Sequence, residues 1–384
     1  RTAGMLEEAL RRVPAEELYA RTGVQLLEIN TLYQLLAMRL RGDPLLEAAG
    51  RLLTMPALLT RWLCGVGVDE QSCASTTGCL DATTGGWAED LLTRLDLPAR
   101  IFGEVVPPGT VLGRALPEVE LGAAAVVATA GHDTASAVAG VPFSPGTPAA
   151  FISSGTWSLV GVELAEPVLT PAALTANLSN ERGAAGTVRL LRNVMGLWLL
   201  QECRRAWARG GREWSYEELL AMAEAAPAFG ALVDPDDGRF LRPGDLPAAV
   251  AEACGDGGRA AVREPGAVVR CLLESLGLRY WWTLERLQAV TGARFEVVHV
   301  VGGGSHNRML CQITADATGL PVLAGPAEAT AAGNLLVQAL ALGLVGSLAE
   351  ARELARRSFQ PQRFEPCPTR GWEEARARFQ ELVA

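Results

Sequence analysis

The sequence predicts an α/β protein of two domains, and three stretches carry that prediction. In Ala123-Ala124-Ala125-Val126-Val127-Ala128-Thr129-Ala130-Gly131-His132-Asp133-Thr134 an apolar run with strand character ends in a glycine. It then presents an imidazole, a carboxylate and a hydroxyl ahead of an Ala-rich helical segment over 135–139. Over 295–324 the pattern reads strand, glycine turn, helix, strand, which is a βαβ unit. Between them, Val141-Pro142-Phe143-Ser144-Pro145-Gly146-Thr147-Pro148 is rich in Pro and Gly and marks a boundary, dividing the chain into domains 1–147 and 148–384.

Composition narrows the chemistry. A chain of 384 residues with 49% hydrophobic content exceeds what one core usually holds, about 250–300 residues. The formal charge of −9 leaves no broad basic field for nucleic acid or an anionic membrane. All basic residues are arginines, so a Walker-type phosphate loop, a Schiff-base enzyme and the protein-kinase strand lysine are excluded. The cysteines show no Cys-x-x-Cys spacing, which removes the usual structural zinc patterns. Cys254 and Cys271 remain candidates for a pair. No signal-peptide core or spanning apolar run is evident, so a cytoplasmic protein with reduced thiols is expected.

Taken in order, residues 5–40 have helical periodicity, with Pro14 opening a second helix and Asn30 or Thr31 suited to cap a third. Residues 45–62 read as a helix pair interrupted by Pro56, and the Gly/Ser/Thr/Asp-rich stretch 64–86 as an irregular surface that could face a ligand. After the 123–134 stretch, in which Asp133 or Thr134 taken by local sequence alone is more simply a helix cap, 149–162 forms two strand-like runs around a Ser154-Gly155-Thr156 corner. Such a corner offers backbone N–H groups and hydroxyls to phosphate oxygens. Arg192-Asn193-Val194-Met195-Gly196-Leu197-Trp198 is expected to open a helix reaching about 207, with Asn193 and Gln201 facing a ligand. Ser215-Tyr216-Glu217-Glu218 is a capping box, 233–257 a variable surface region, and 265–290 a long helix. Gly302-Gly303-Gly304-Ser305 then lets a ligand approach backbone at a helix start.

Together and in this order, Gly131-His132-Asp133-Thr134, Ser154-Gly155-Thr156-Trp157, Asn193-Val194-Met195-Gly196-Leu197-Trp198 and Gly302-Gly303-Gly304-Ser305 resemble the FGGY carbohydrate kinases. The resemblance runs over essentially the whole chain. It implies two actin-like domains of the ribonuclease-H type, the first N-terminally truncated, with sugar and ATP meeting in the cleft between them. Residues 1–147 would be the C-terminal portion of the sugar-binding domain and 148–384 the nucleotide-binding domain. It also implies that Asp133 is the catalytic base, that His132, Thr134 and Asn193 contact the sugar, and that Thr156, Gln201 and Gly303 hold ATP, with Mg²⁺ as companion ion.

The implied reaction is ATP-dependent phosphorylation of the 1-hydroxyl of L-rhamnulose. A kinase for fuculose or xylulose and a non-catalytic sugar- or nucleotide-binding protein are the alternatives. Members of the family begin with a Gly-rich phosphate hairpin and a sugar-binding segment that this sequence does not contain. An upstream piece on the order of one hundred residues is therefore expected, and the chain without it is expected to have impaired activity.

Overall fold

The computed structural model describes residues 2–255, 262–367 and 371–384. The chain forms two compact units. The first comprises Arg1–Pro145, Gly161–Arg192 and Ala329–Phe359; the second comprises Gly146–Val160, Asn193–Glu328 and Gln360–Ala384. The chain thus crosses between units after Pro145, Val160, Arg192, Glu328 and Phe359.

The first unit opens with helices Met5–Arg12, Ala15–Thr22 and Thr31–Leu40. Their apolar stripes meet in a core of Ala9, Leu18, Leu32, Tyr33, Leu36, Leu92 and Leu95. Each such fully buried leucine stabilises the fold by about 1.5–3 kcal/mol. Asn30 does sit at the N-cap of the third helix, but its side chain makes no capping bond there. Pro56 does not interrupt a helix pair. It lies in the first turn of Met55–Cys64, where its missing N–H costs nothing, and the preceding helix Pro44–Ala48 is separate.

The strand Ala125–Ala128 pairs antiparallel with Thr110–Arg114, and Asp69–Glu70 pairs parallel with Val105–Val106. The short helix Asp133–Ala139 packs against Ala329–Ala341. Alanine and glycine dominate that crossing because the backbones nearly touch. A Cβ at Gly140 would lie 2.7 Å from the Ala329 carbonyl oxygen, and one at Gly333 would lie 1.7 Å from that of Ser136. The antiparallel strands Ser179–Arg182 and Val188–Met195 close the unit, the second continuing beyond its last residue, Arg192.

In the second unit Ala149–Ser154 runs parallel to Val297–Val301, which runs parallel to Val322–Ala324, and Gln362–Phe364 adds an antiparallel edge. The βαβ unit is therefore present, with Arg308–Thr318 as its helix. The 27-residue helix Pro265–Thr291 packs on that helix and on Tyr216–Ala225, whose Ser215–Glu218 capping box is complete. Tyr280 is buried on the long helix, with its hydroxyl 2.7 Å from that of Ser158.

The helix expected to open at Arg192 does not. Val188–Met195 is a strand, Gly196 ends the extended run, and the helix is Trp198–Arg209. Cys254 and Cys271 are free thiols in side-chain contact. Residues 256 and 257 of the expected surface region lie outside the described residues.

Candidate active site

In the first unit, His132, Asp133 and Thr134 stand together at the end of the loop leaving the strand Ala125–Ala128. His132 occupies the N-cap position with extended backbone, φ −72° and ψ 125°, and Asp133 is the first helical residue. Asp133 is therefore not the cap. Its Oδ1 accepts from the Thr134 N–H at 2.6 Å and from the Thr134 hydroxyl at 3.2 Å, while its side chain is 80% exposed. Thr134 is buried, so its hydroxyl orients the carboxylate instead of standing free. From the other side, the Thr330 hydroxyl donates to the Asp133 carbonyl at 3.3 Å.

The His132 Nδ1 lies 3.5 Å from Arg189 Nη1 and 3.5 Å from Asp133 Oδ1. Burial and the Arg189 charge hold the imidazole below its ordinary range, against opposing pulls from Glu181 and Asp133. Burial, which disfavours the charged ring, is the larger of the two lowering effects. His132 is then neutral at pH 7. Its Nδ1 stands equally close to a donor, Arg189, and to an acceptor, Asp133.

Arg189 is fully buried, 3.2 Å from Glu181, and donates through Nε and Nη2 to the Arg182 carbonyl. Neither Arg189 nor Glu181 is singled out by the sequence. Glu181 lies on the strand Ser179–Arg182 and Arg189 on Val188–Met195, and the two pair antiparallel, Glu181 opposite Arg189.

In the second unit the predicted nucleotide residues gather around one corner. The Gly155 carbonyl accepts from the Leu197 N–H at 2.9 Å, and the Thr156 carbonyl accepts from the Gly196 and Trp198 N–H groups, both at 3.1 Å. Thr156 itself is exposed. The Gly155 N–H does not serve phosphate as expected, since it donates to the Trp157 carbonyl at 2.8 Å. Gln201 follows one turn into the helix and lines a surface cavity with Arg204, Arg205, Trp214 and Tyr216.

The glycine turn abuts the same corner. A Cβ at Gly302 would meet the Ser154 carbonyl oxygen at 2.8 Å, and one at Gly304 would meet the Ser154 hydroxyl at 2.0 Å, whereas Gly303 faces open space. Gly302 and Gly304 thus bring backbone against Ser154, and Gly303 leaves room for a ligand. Asn193 lies on the strand, three residues before Gly196, with Met195 N–H held by Asp236 Oδ1 at 2.9 Å.

A Cβ on Gly196 would meet the backbone of Gly155, Thr156 and Trp157 at 2.6–2.8 Å. Gly196→Ala should therefore spread the corner, destabilising the protein by about 1–3 kcal/mol and raising the KM for ATP. Thermal unfolding and ATP-dependent kinetics check both effects.

The N-terminal domain of the FGGY family of carbohydrate kinases matches residues 1–140, and the C-terminal domain of that family matches 150–342. The chain belongs to the FGGY family of carbohydrate kinases. Among similar proteins, the rhamnulokinase of Bacteroides thetaiotaomicron is 41% identical over 386 residues, covering 100% of this chain and 79% of the relative. The rhamnulokinase of Enterococcus faecalis is 40% identical, covering 92% and 71%.

Solved structures agree in fold. A ligand-bound xylulose kinase from Lactobacillus acidophilus superposes with a TM-score of 0.76 at 16% identity, covering 99% of this chain and 76% of its own. Glycerol kinase of Plasmodium falciparum with ADP gives 0.74 at 15% identity, covering 100% and 76%. This FGGY kinase accordingly has the two-domain actin-like fold and is an ATP-dependent sugar kinase. Among its described residues, no group of three His, Cys, Asp or Glu could cage a metal, and no helix is long and apolar enough to cross a membrane.

Proposed function

We propose that the chain transfers the γ-phosphoryl group of ATP to the 1-hydroxyl of L-rhamnulose, with Asp133 as proton acceptor. The observation that carries the reading is the Asp133 carboxylate. It is accessible to a substrate, yet its Oδ1 is held by Thr134 and its backbone is anchored on both sides. A sugar hydroxyl loses its proton as it attacks phosphorus, and a carboxylate within hydrogen-bond reach is a competent acceptor.

His132 offers a ring nitrogen to a sugar oxygen, and Thr134 fixes the base. Asn193 contributes a sugar contact. Thr156, Gln201 and Gly303 hold the nucleotide, with Gly303 letting it lie on backbone. The span 1–147 is read as the C-terminal portion of the sugar-binding domain and 148–384 as the nucleotide-binding domain, with 161–192 and 329–359 packing in the first compact unit.

Mg²⁺ is read as arriving with ATP. Such an ion keeps phosphate oxygens and waters as its main ligands and takes few protein groups. When bound, it neutralises charge on the phosphates, and no protein ligand is assigned to it. The reaction is read as cytoplasmic, in keeping with relatives that are metabolic sugar kinases.

The substrate assignment is supported by the identity to rhamnulokinases over nearly the whole chain. It is tested by ATP-coupled turnover of L-rhamnulose, L-fuculose and D-xylulose, with the highest kcat/KM expected for L-rhamnulose. Preferential turnover of another ketose would overturn the assignment.

A further inference from the structure

We propose that Glu70 and Ser72 are positioning residues for phosphoryl transfer, holding the backbone from which Asp133 projects. This rests on the reading of Asp133 as proton acceptor. Neither side chain belongs to the predicted sugar- or nucleotide-binding set, and both are buried.

Glu70 ends the strand Asp69–Glu70, and the short helix Gln71–Ala74 begins at once, which turns Ser72 back over the carboxylate. Glu70 Oε1 accepts from the Ser72 N–H at 2.6 Å, and Oε2 accepts from the Ser72 hydroxyl at 2.5 Å. Oε2 also accepts from the Gly131 N–H at 2.9 Å, while Ser72 Oγ accepts from the His132 N–H at 3.0 Å. Two consecutive amides immediately before Asp133 therefore end on one carboxylate–hydroxyl pair.

Three N–H and O–H donors converge on the two Glu70 oxygens, which accept from all of them. Burial pushes this carboxyl up from its ordinary range, while the bonds from Ser72 and Gly131 and the Arg189 charge favour the ionised form. The seat is also closed sterically. A Cβ on Gly131 would meet Pro56 at 3.2 Å, Cys73 Sγ at 3.3 Å and Glu70 Oε2 at 3.4 Å. The loop cannot slide without stranding buried polar groups, so the exposed Asp133 carboxylate springs from a fixed point. A displacement of about 1 Å at a reacting group can cost about 100-fold in rate.

The test is steady-state kinetics of Ser72→Ala and Glu70→Gln with L-rhamnulose and ATP, accompanied by thermal unfolding. Ser72→Ala deletes the hydroxyl that joins His132 to Glu70, and Glu70→Gln sets an NH₂ among donors. Both should lower kcat by about 10- to 100-fold with little change in the KM for ATP. Ser72→Thr, which keeps the hydroxyl, should recover most of the loss. If Ser72→Ala does not fold, Glu70→Gln reads the loss, with Ser72→Thr, which keeps the hydroxyl, as its near-parental control.

Folded variants with a lowered melting temperature but a kcat within about twofold of the parent would overturn the proposal and leave a purely structural role. Asp133→Asn run alongside separates the two readings. Parental turnover there would remove Asp133 as acceptor, whereas an inactive Asp133→Asn beside fully active Ser72 and Glu70 variants would sink only the positioning role.

Discussion

Replacing Asp133 by Asn is expected to lower kcat by about 10²–10⁴-fold while leaving the folded state almost unchanged. The amide keeps an oxygen for the Thr134 N–H and hydroxyl that now meet Oδ1, so local geometry survives. It cannot take the proton of the attacking hydroxyl. Because the side chain is 80% exposed, the stability change should stay within about 0.5 kcal/mol. Kinetics with thermal unfolding of the same sample checks both halves, and near-parental turnover would remove Asp133 from the role of base.

Gly333→Ala should produce the largest loss of stability, at least about 3 kcal/mol. The added methyl would sit 1.7 Å from the Ser136 carbonyl oxygen and 2.6 Å from its carbon, so rigid backbone, not a side chain that could rotate away, must yield. Separating the helices Ala329–Ala341 and Asp133–Ala139 also strains the Thr330 bond to Asp133 and the Asn334 bond to Thr129. Activity should therefore fall below what the folded fraction alone explains. Chemical denaturation together with kcat per folded molecule tests this, and an unchanged denaturation midpoint would contradict the close crossing.

Local patterns were legible where one segment determines its own structure. The Ser154-Gly155-Thr156 corner, the βαβ unit around Arg308–Thr318 and the Ser215–Glu218 capping box follow from spacing and composition alone. The chain misled where neighbours decide. Asn193 reads as a helix opener because a polar residue precedes an apolar run, but Val188–Met195, paired with Ser179–Arg182, extends through it as a strand and the helix begins only at Trp198.

Arg189 carries no signal in the sequence, and Glu181 and the Arg182 carbonyl hold it fully inside. Glu70 and Ser72 lie in a stretch readable only as an irregular surface. No local pattern reveals that they grip amides some sixty residues away. The His132-Asp133-Thr134 triplet could be named from sequence, but not that Thr134 would be buried beneath the carboxylate.

The five crossings of the chain between the two units bear on how such a protein can be cut and recombined. Neither unit is encoded by one uninterrupted stretch, so a break after Pro145 separates the Asp133 helix from Ala329–Ala341, the partner that covers Gly140. A fragment ending there carries the acidic residue without its support. Chimeras that exchange the first unit must therefore transplant 161–192 and 329–359 together with the first segment, because inheritance of that unit is discontinuous.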